Sequence, residues 1–177
     1  CKVLTREIGA ISARSPHTLD ITYLRQGYHN TPDKLREILQ DQIDRIDAGD
    51  DPYTGDTNTG DFDAILLGYG LCSNGVCGVR SKKYPIVLPR AHDCITLLLG
   101  SKEKYQSLFD AYSGGIYWYT AGWIENSIMP SEEQYDTTYQ IYKDLYGEEN
   151  ADYLTDYEKS WTKNYKAAAY IDTKTAG

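Results

Sequence analysis

Twice in its middle third the chain runs a short apolar stretch into a turn, enforced by glycine or proline, that carries a cysteine. Ala64-Ile65-Leu66-Leu67 leads into Gly68-Tyr69-Gly70-Leu71-Cys72-Ser73-Asn74-Gly75. Pro85-Ile86-Val87-Leu88 leads into Pro89-Arg90-Ala91-His92-Asp93-Cys94. Short apolar runs bounded by turn signals read as buried strands. If the two are parallel neighbours, their turns leave the same sheet edge about 5 Å apart. That carboxyl edge is where open parallel sheets bind ligands.

The segments around this pair alternate helix with strand. Val3, Leu4, Ile8 and Ile11 have helical spacing within residues 1–13, and Ser15-Pro16 ends that run. Residues 19–24 alternate apolar with polar, the period of a half-buried strand. Thr31-Pro32 supplies an N-cap and a proline at the first helical position. The helix that follows carries Leu35, Ile38, Leu39, Ile43 and Ile46 on one face and stops at Gly49. Residues 50–61 form a polar loop; its Asp50, Asp51, Asp56 and Asp61 lack the EF-hand spacing and the closing glutamate. Residues 95–112 read as one helix, Gly114-Gly115 break it, and Ile116 to Thr120 form an aromatic strand. The alternation predicts an α/β fold: a mostly parallel, Rossmann-like sheet with flanking helices.

A Tyr-rich helical hairpin is expected next. Ser131 and Gln134 fit a capping box, and Tyr135, Tyr139, Tyr142 and Tyr146 follow at steps of four, three and four. Tyr153, Tyr157, Trp161 and Tyr165 make a second stripe. Such stripes either pack on each other and the sheet or offer an aromatic surface to a planar cofactor. The organisation is therefore an α/β core with the site at 1–130, a hairpin packed on it at 131–169, and the start of a further strand at 170–177. Beginning on Cys1, the chain is expected to lack a preceding strand and to be truncated at both ends.

At 177 residues the chain suits a single domain. Its formal net charge of -8, with Lys and Arg scattered, argues against a nucleic-acid partner. No stretch approaches the roughly 20 apolar residues that span a bilayer, so no membrane partner is expected. Four cysteines without a secretory signal do not resemble a disulfide framework. Reduced thiols in a cytoplasm are the expectation, and a homo-oligomer stays open. There is no CxxC pair, so any metal site is assembled by the fold.

Cys94 falls at a helix start, where free amides favour a thiolate, the form that binds soft metals or attacks electrophiles. His92 lies in the same turn as a further ligand. Asp93 either orients that imidazole or caps the helix. Arg90 is placed to clamp a carboxylate or phosphate. Cys72 occupies the equivalent position after the preceding strand, and Ser73, Asn74 and Gly75 offer backbone amides to an anionic cofactor. Cys1 joins if a strand precedes it. Glu125, after the aromatic strand, is the remaining candidate acid/base; Cys77, His17 and His29 are set aside as spare or solvated. The set Cys1, Cys72, His92 and Cys94 suits zinc, closed as a structural site or open as a catalytic one. Thiolates leave iron or an iron-sulfur cluster as alternatives. Small buried cysteines in a plain structural domain are the competing reading.

Three stretches, 68–75, 89–101 and 117–125 (Tyr-Trp-Tyr-Thr-Ala-Gly-Trp-Ile-Glu), resemble domain-of-unknown-function family 1638, found in methanogens and other anaerobes. Cys1-Lys2-Val3-Leu4-Thr5-Arg6-Glu7 resembles the family's first-strand cysteine motif. The resemblance supports grouping Cys1, Cys72, His92 and Cys94. It implies a cytoplasmic, anaerobic setting and a link to corrinoid-dependent methyl transfer, with a small-molecule substrate or a corrinoid protein as partner. The protein would act there as a metal-dependent methyltransferase or as a non-catalytic metal or corrinoid carrier.

Overall fold

A computed structural model describes residues 1–50 and 62–175. The expected polar loop, from Asp51 to Asp61, and the last two residues lie outside the described residues. The chain opens on a 3-10 turn, Lys2–Leu4, that runs into α1 (Thr5–Ser12). A second 3-10 turn, Tyr28–Asn30, precedes α2 (Pro32–Ala48). Then come β1 (Ile65–Leu66), β2 (Ile86–Val87), α3 (Cys94–Leu99), α4 (Lys102–Tyr112) and β3 (Ile116–Tyr119). The remainder is α5 (Ala121–Asn126), α6 (Glu132–Tyr146), α7 (Glu148–Lys159), a 3-10 turn (Ser160–Asn164) and β4 (Ala167–Tyr170).

Helix α2 begins and ends where its sequence signals place it, with Pro32 in the first turn and Gly49 at a left-handed φ of 74°. Thr31 stands at the N-cap without a side-chain capping bond. Leu35, Leu39 and Ile43, four residues apart, are buried against Leu67, Tyr69, Val76 and Tyr84. A polar row beside them staples the chain after β1 to the helix. Arg36 Nε donates to the Cys77 carbonyl at 2.7 Å. Gln40 donates to the Arg80 carbonyl at 2.8 Å and accepts from its amide at 2.9 Å. Asp47 accepts from Ser81 Oγ and the Lys82 amide, both at 2.6 Å, and these bonds hold its carboxyl below the usual range. Leu35 meets Gly75 at one end of α2 while Asp47 holds Ser81 at the other. The helix N-terminus therefore lies at the Cys72 turn.

The Rossmann-like expectation is overturned. The strands of the described residues form two separate parallel pairs, β1 with β2 and β3 with β4. Residues 19–24 form no strand, and no helix crosses between β1 and β2. Pro85 and Pro89 bracket β2, and a proline has no amide to extend a ladder. A doubly wound sheet is covered by helices on both faces, yet Leu66 is 60% and Val87 53% exposed. The single helix expected at 95–112 is two, because Gly100 turns left-handed at φ 75° and Ser101 caps α4 through the Lys104 amide.

The second pair is closed from a distance. Ile116, Tyr117, Trp118 and Tyr119 align with Ala167, Ala168, Ala169 and Tyr170. Between them α6 and α7 form a hairpin turned at Gly147. Lys159 lies 5.1 Å from the Tyr135 ring centroid, the Tyr142 hydroxyl donates to Glu158, and Lys143 pairs with Glu148 at 3.2 Å. Much of the second aromatic stripe faces outward, with Tyr153 and Tyr157 exposed.

Candidate functional site

The two cysteine turns lie side by side because β1 and β2 pair in register, Ile65 with Ile86 and Leu66 with Val87. The pairing continues past the strands: the Leu71 amide donates to the Ala91 carbonyl at 2.9 Å, and the Cys72 amide to the His92 carbonyl at 3.0 Å. The turns come so close that a Cβ on Gly70 would stand 2.6 Å from the Asp93 nitrogen. Only glycine fits there. Cys72, Ser73 and Asn74 then follow one another in left-handed backbone, at φ of 46°, 57° and 63°. Such conformations cost about 1 kcal/mol or more apiece for residues other than glycine. The surroundings that hold Cys72 in place therefore meet a real strain.

Cys1 is brought to the same place by the other strand pair. Thr120 caps α5 through the Trp123 amide at 3.0 Å. Gly122, on α5, lies so close to the first 3-10 turn that a Cβ would stand 1.9 Å from the Val3 carbonyl oxygen. The main-chain nitrogen of Cys1 is near enough to Cys72 and Cys94 to interact electrostatically with both. All three cysteines are half-buried and free of disulfides, and all three line one cavity of about 290 Å³.

Tyr28, Tyr69, Tyr117, Trp118, Trp123 and Tyr165 supply aromatic wall, and Leu35, Ile95 and Ile116 aliphatic wall. The rings of Tyr117, Trp161 and Tyr165 pack mutually, with centroids 5.1 to 5.5 Å apart. Polar groups on the wall are few. Among the described residues, no group of three or more His, Cys, Asp or Glu side chains stands ready to hold a metal ion.

Burial in the cavity raises the pKa of two of its thiols, Cys72 and Cys94. Burial, then the Asp93 charge and Cys72, push Cys94 up to about 12. Burial also raises Cys72, partly offset by a hydrogen bond from the Gly70 backbone. The thiolate expected from the start of α3 is disfavoured, because desolvation outweighs the amides of Cys94 and Ile95 that favour it.

The other residues read from the sequence fall in different places. Asp93 is the N-cap of α3, accepting from the Thr96 amide at 2.7 Å and its hydroxyl at 2.9 Å, and it also lines the cavity. His92 and Arg90 are exposed and outside the lining. Ser73 lines the cavity, but Asn74 gives its carbonyl to Arg36 at 3.2 Å and Gly75 is buried against Leu35. No helix starts at that turn, so the amide cradle lacks the helix end on which it was based. Glu125 is exposed and paired with Arg6, which donates from Nε at 2.6 Å and holds its carboxyl below the usual range. Cys77 is exposed and outside the cavity lining.

One histidine does line the cavity, and it is His29, in the turn before α2. Sequence reasoning set it aside as solvated. The signal was present in the order of elements: a helix packed antiparallel on β1 carries its N-terminal turn to the edge that β1 points to. Tyr69, Trp118 and Trp123 lay inside the recognised stretches, but nothing in their spacing marked their rings as cavity wall.

The model of a family described as "Protein of unknown function (DUF1638)" matches residues 23–176. No curated protein and no solved structure matches the chain. Among the described residues, no helix is long and apolar enough to cross a membrane.

Proposed function

The chain belongs to the DUF1638 family, and we propose that it binds a soft metal ion, zinc in the first instance, through Cys1, Cys72 and Cys94. The observation that carries this reading is the convergence of three free thiols from three distant segments on one mostly apolar cavity. Three sulfur donors suit zinc, with iron as the alternative. His29 is the histidine that lines the same cavity and is the fourth donor of this reading. Capture requires the side chains to turn onto a common centre and the thiols to lose their protons, so affinity rises with pH.

A thiolate-held zinc ion supplies Lewis acidity and keeps a bound thiol deprotonated near neutral pH. The cavity leaves room beside the thiols for a second molecule, which favours a reactive site over a closed structural one. Methyl transfer linked to a corrinoid protein, in a cytoplasmic setting, is the reaction class we assign on the family resemblance. A metal-carrier role is the other outcome of the same experiment.

The test is elemental analysis of anaerobically purified protein, followed by cobalt(II) replacement. The expected result is about one metal per chain and a thiolate-to-cobalt charge-transfer band, both lost in Cys72→Ser and Cys94→Ser. His29→Ala weakens retention against a chelator, whereas His92→Ala leaves it unchanged. Wild-type protein that takes up no stoichiometric metal sinks the reading.

A further inference from the structure

A second apolar space, a groove of about 380 Å³, runs beside β1. Residues 64–69 form one bank of it. Among the described residues none of β2 lines it, so the groove follows the edge of β1 that faces away from β2. Residues 18–24, which carry a strand's alternation yet form no strand, make the other bank. Ile8 and Ile11 of α1 and Leu39, Ile43 and Ile46 of α2 also line it. The two helices meet β1 on opposite faces. Ile65 and Leu67 are buried with Leu39 and Ile43. Gly68 points to the other face, where a Cβ would stand 3.0 Å from Ile8 Cδ1. The edge itself is unpaired. The Ile65 and Leu67 amides donate to the Pro85 and Val87 carbonyls, both at 2.9 Å. Successive residues turn their backbone groups to alternate edges, so the Leu66 amide and carbonyl face the groove. Among the described residues β1 has no strand but β2 beside it.

We propose that this groove is a docking site for a short apolar peptide segment in extended conformation, which adds to β1 as a strand. The unpaired edge is what selects a peptide. Main-chain donors and acceptors recur along an edge at two-residue intervals, roughly 6.6 Å, and an added strand repeats them at the same interval. A hydrocarbon ligand would fill the apolar space and leave the edge unbonded. Strand edges open to a partner are commonly blunted by lysine or proline, and the stretch from Ala64 to Gly68 carries neither. Helix side chains meet the groove from both faces, so the occupant is apolar on both faces, a run of Val and Ile rather than an alternating segment. A strand of about five residues, roughly 17 Å, matches this bank. The groove is separate from the space beside the thiols, and the proposal does not depend on a metal.

The experiment titrates the full chain with an end-blocked peptide of core Val-Ile-Val-Ile-Val, flanked by lysines for solubility. Amide exchange at Leu66 is followed by nitrogen-15 correlation spectroscopy. The peptide is expected to bind and to slow exchange of the Leu66 amide by about tenfold or more. The same peptide N-methylated along its core keeps its side chains and charges but cannot donate to the edge. It is expected to bind about tenfold more weakly or worse. Ile11→Asp puts a charge into the groove at a position that is 60% exposed, so the fold is kept while binding falls by about tenfold or more. Ile141→Asp, on α6 and outside the groove, leaves binding unchanged. No binding, or binding that survives Ile11→Asp, overturns the proposal. Equal binding of the N-methylated peptide, or a Leu66 amide that exchanges as fast as before, overturns it in favour of a hydrocarbon site. A chain that sediments as a dimer which the peptide does not dissociate overturns it in favour of a second copy.

Discussion

The wall that carries Cys72 and Cys94 comes from β1 and β2, two-residue strands joined by turns and paired directly. The aromatic wall comes from β3 and β4, four-residue strands whose connection passes through α5, α6 and α7. The first wall is local and strained: backbone bonds tie turn to turn, Gly70 is pressed on Asp93, and three residues in a row are left-handed. The second is built from redundant ring contacts around Tyr117. A wall fixed by backbone approach has no slack, whereas rings packed on several neighbours share the loss of any one. Placement of the sulfurs should therefore be brittle, and the shape of the aromatic wall tolerant.

The largest effects should come from the glycines that enforce close approach. Gly122→Ala drives a methyl into the Val3 carbonyl, where the space is 1.9 Å, and Gly70→Ala into Asp93, where it is 2.6 Å. Each is expected to cost about 3 kcal/mol in denaturant unfolding, with Gly122→Ala the worse. Gly147→Ala is the contrasting case, since a Cβ there meets nothing within 4 Å and only the positive φ of 84° resists it. Equal losses at all three would break the comparison.

Next in size is a pH effect confined to the thiol wall. Cys94 has a folded pKa of about 12, above its ordinary 9.0, so the folded protein holds that proton more tightly than the unfolded chain does. The stability it contributes is fully present below pH 9 and is lost as pH rises towards 12. The difference in unfolding free energy between wild type and Cys94→Ser should fall across that window, with a slope of no more than about one proton. A flat difference would show that the thiol is not desolvated.

Smaller losses are expected on the aromatic wall. Trp161→Ala removes two ring contacts from a cluster that keeps the Tyr117–Tyr165 pair. It should cost about 1–2 kcal/mol and leave Cys72 and Cys94 as slow to react with a thiol reagent as in the wild type. Thiols that become fast would mean that the two walls are coupled. The smallest effect belongs to Glu125→Gln, which removes an exposed ion pair with Arg6. Melting temperature and metal content should both stay near the wild-type values, and a loss of bound metal would return Glu125 to the site.

Local features were legible because their causes are local. Pro32 and Gly49 bound α2, Asp93 caps α3, Ser131 caps α6 through the Gln134 amide, and Gly147 turns the hairpin. Each signal acts within a few residues, through a fixed φ, a permitted left-handed turn or a side chain reaching the next amide. The two strands that precede Cys72 and Cys94 were legible for the same reason, as apolar runs cut short by glycine and proline, and their parallel pairing came from the structure. Sheet size was not, because alternation of elements does not say whether neighbouring pairs join. The exposed Leu66 and Val87 show where a continuous sheet fails to form.

The sequence by itself determined which residues turn, cap and break, that Cys72 and Cys94 each follow a short apolar run, and that no long apolar span is present. Only the tertiary structure decided that Cys1 joins them, that His29 rather than His92 lines the cavity, and that Glu125 is spent on Arg6. It also decided that burial raises the Cys72 and Cys94 thiols above their ordinary range. Those outcomes depend on groups far apart in the chain and on how much water their meeting excludes. Desolvation and long-range approach belong to the packed molecule, and no window of a few residues contains them.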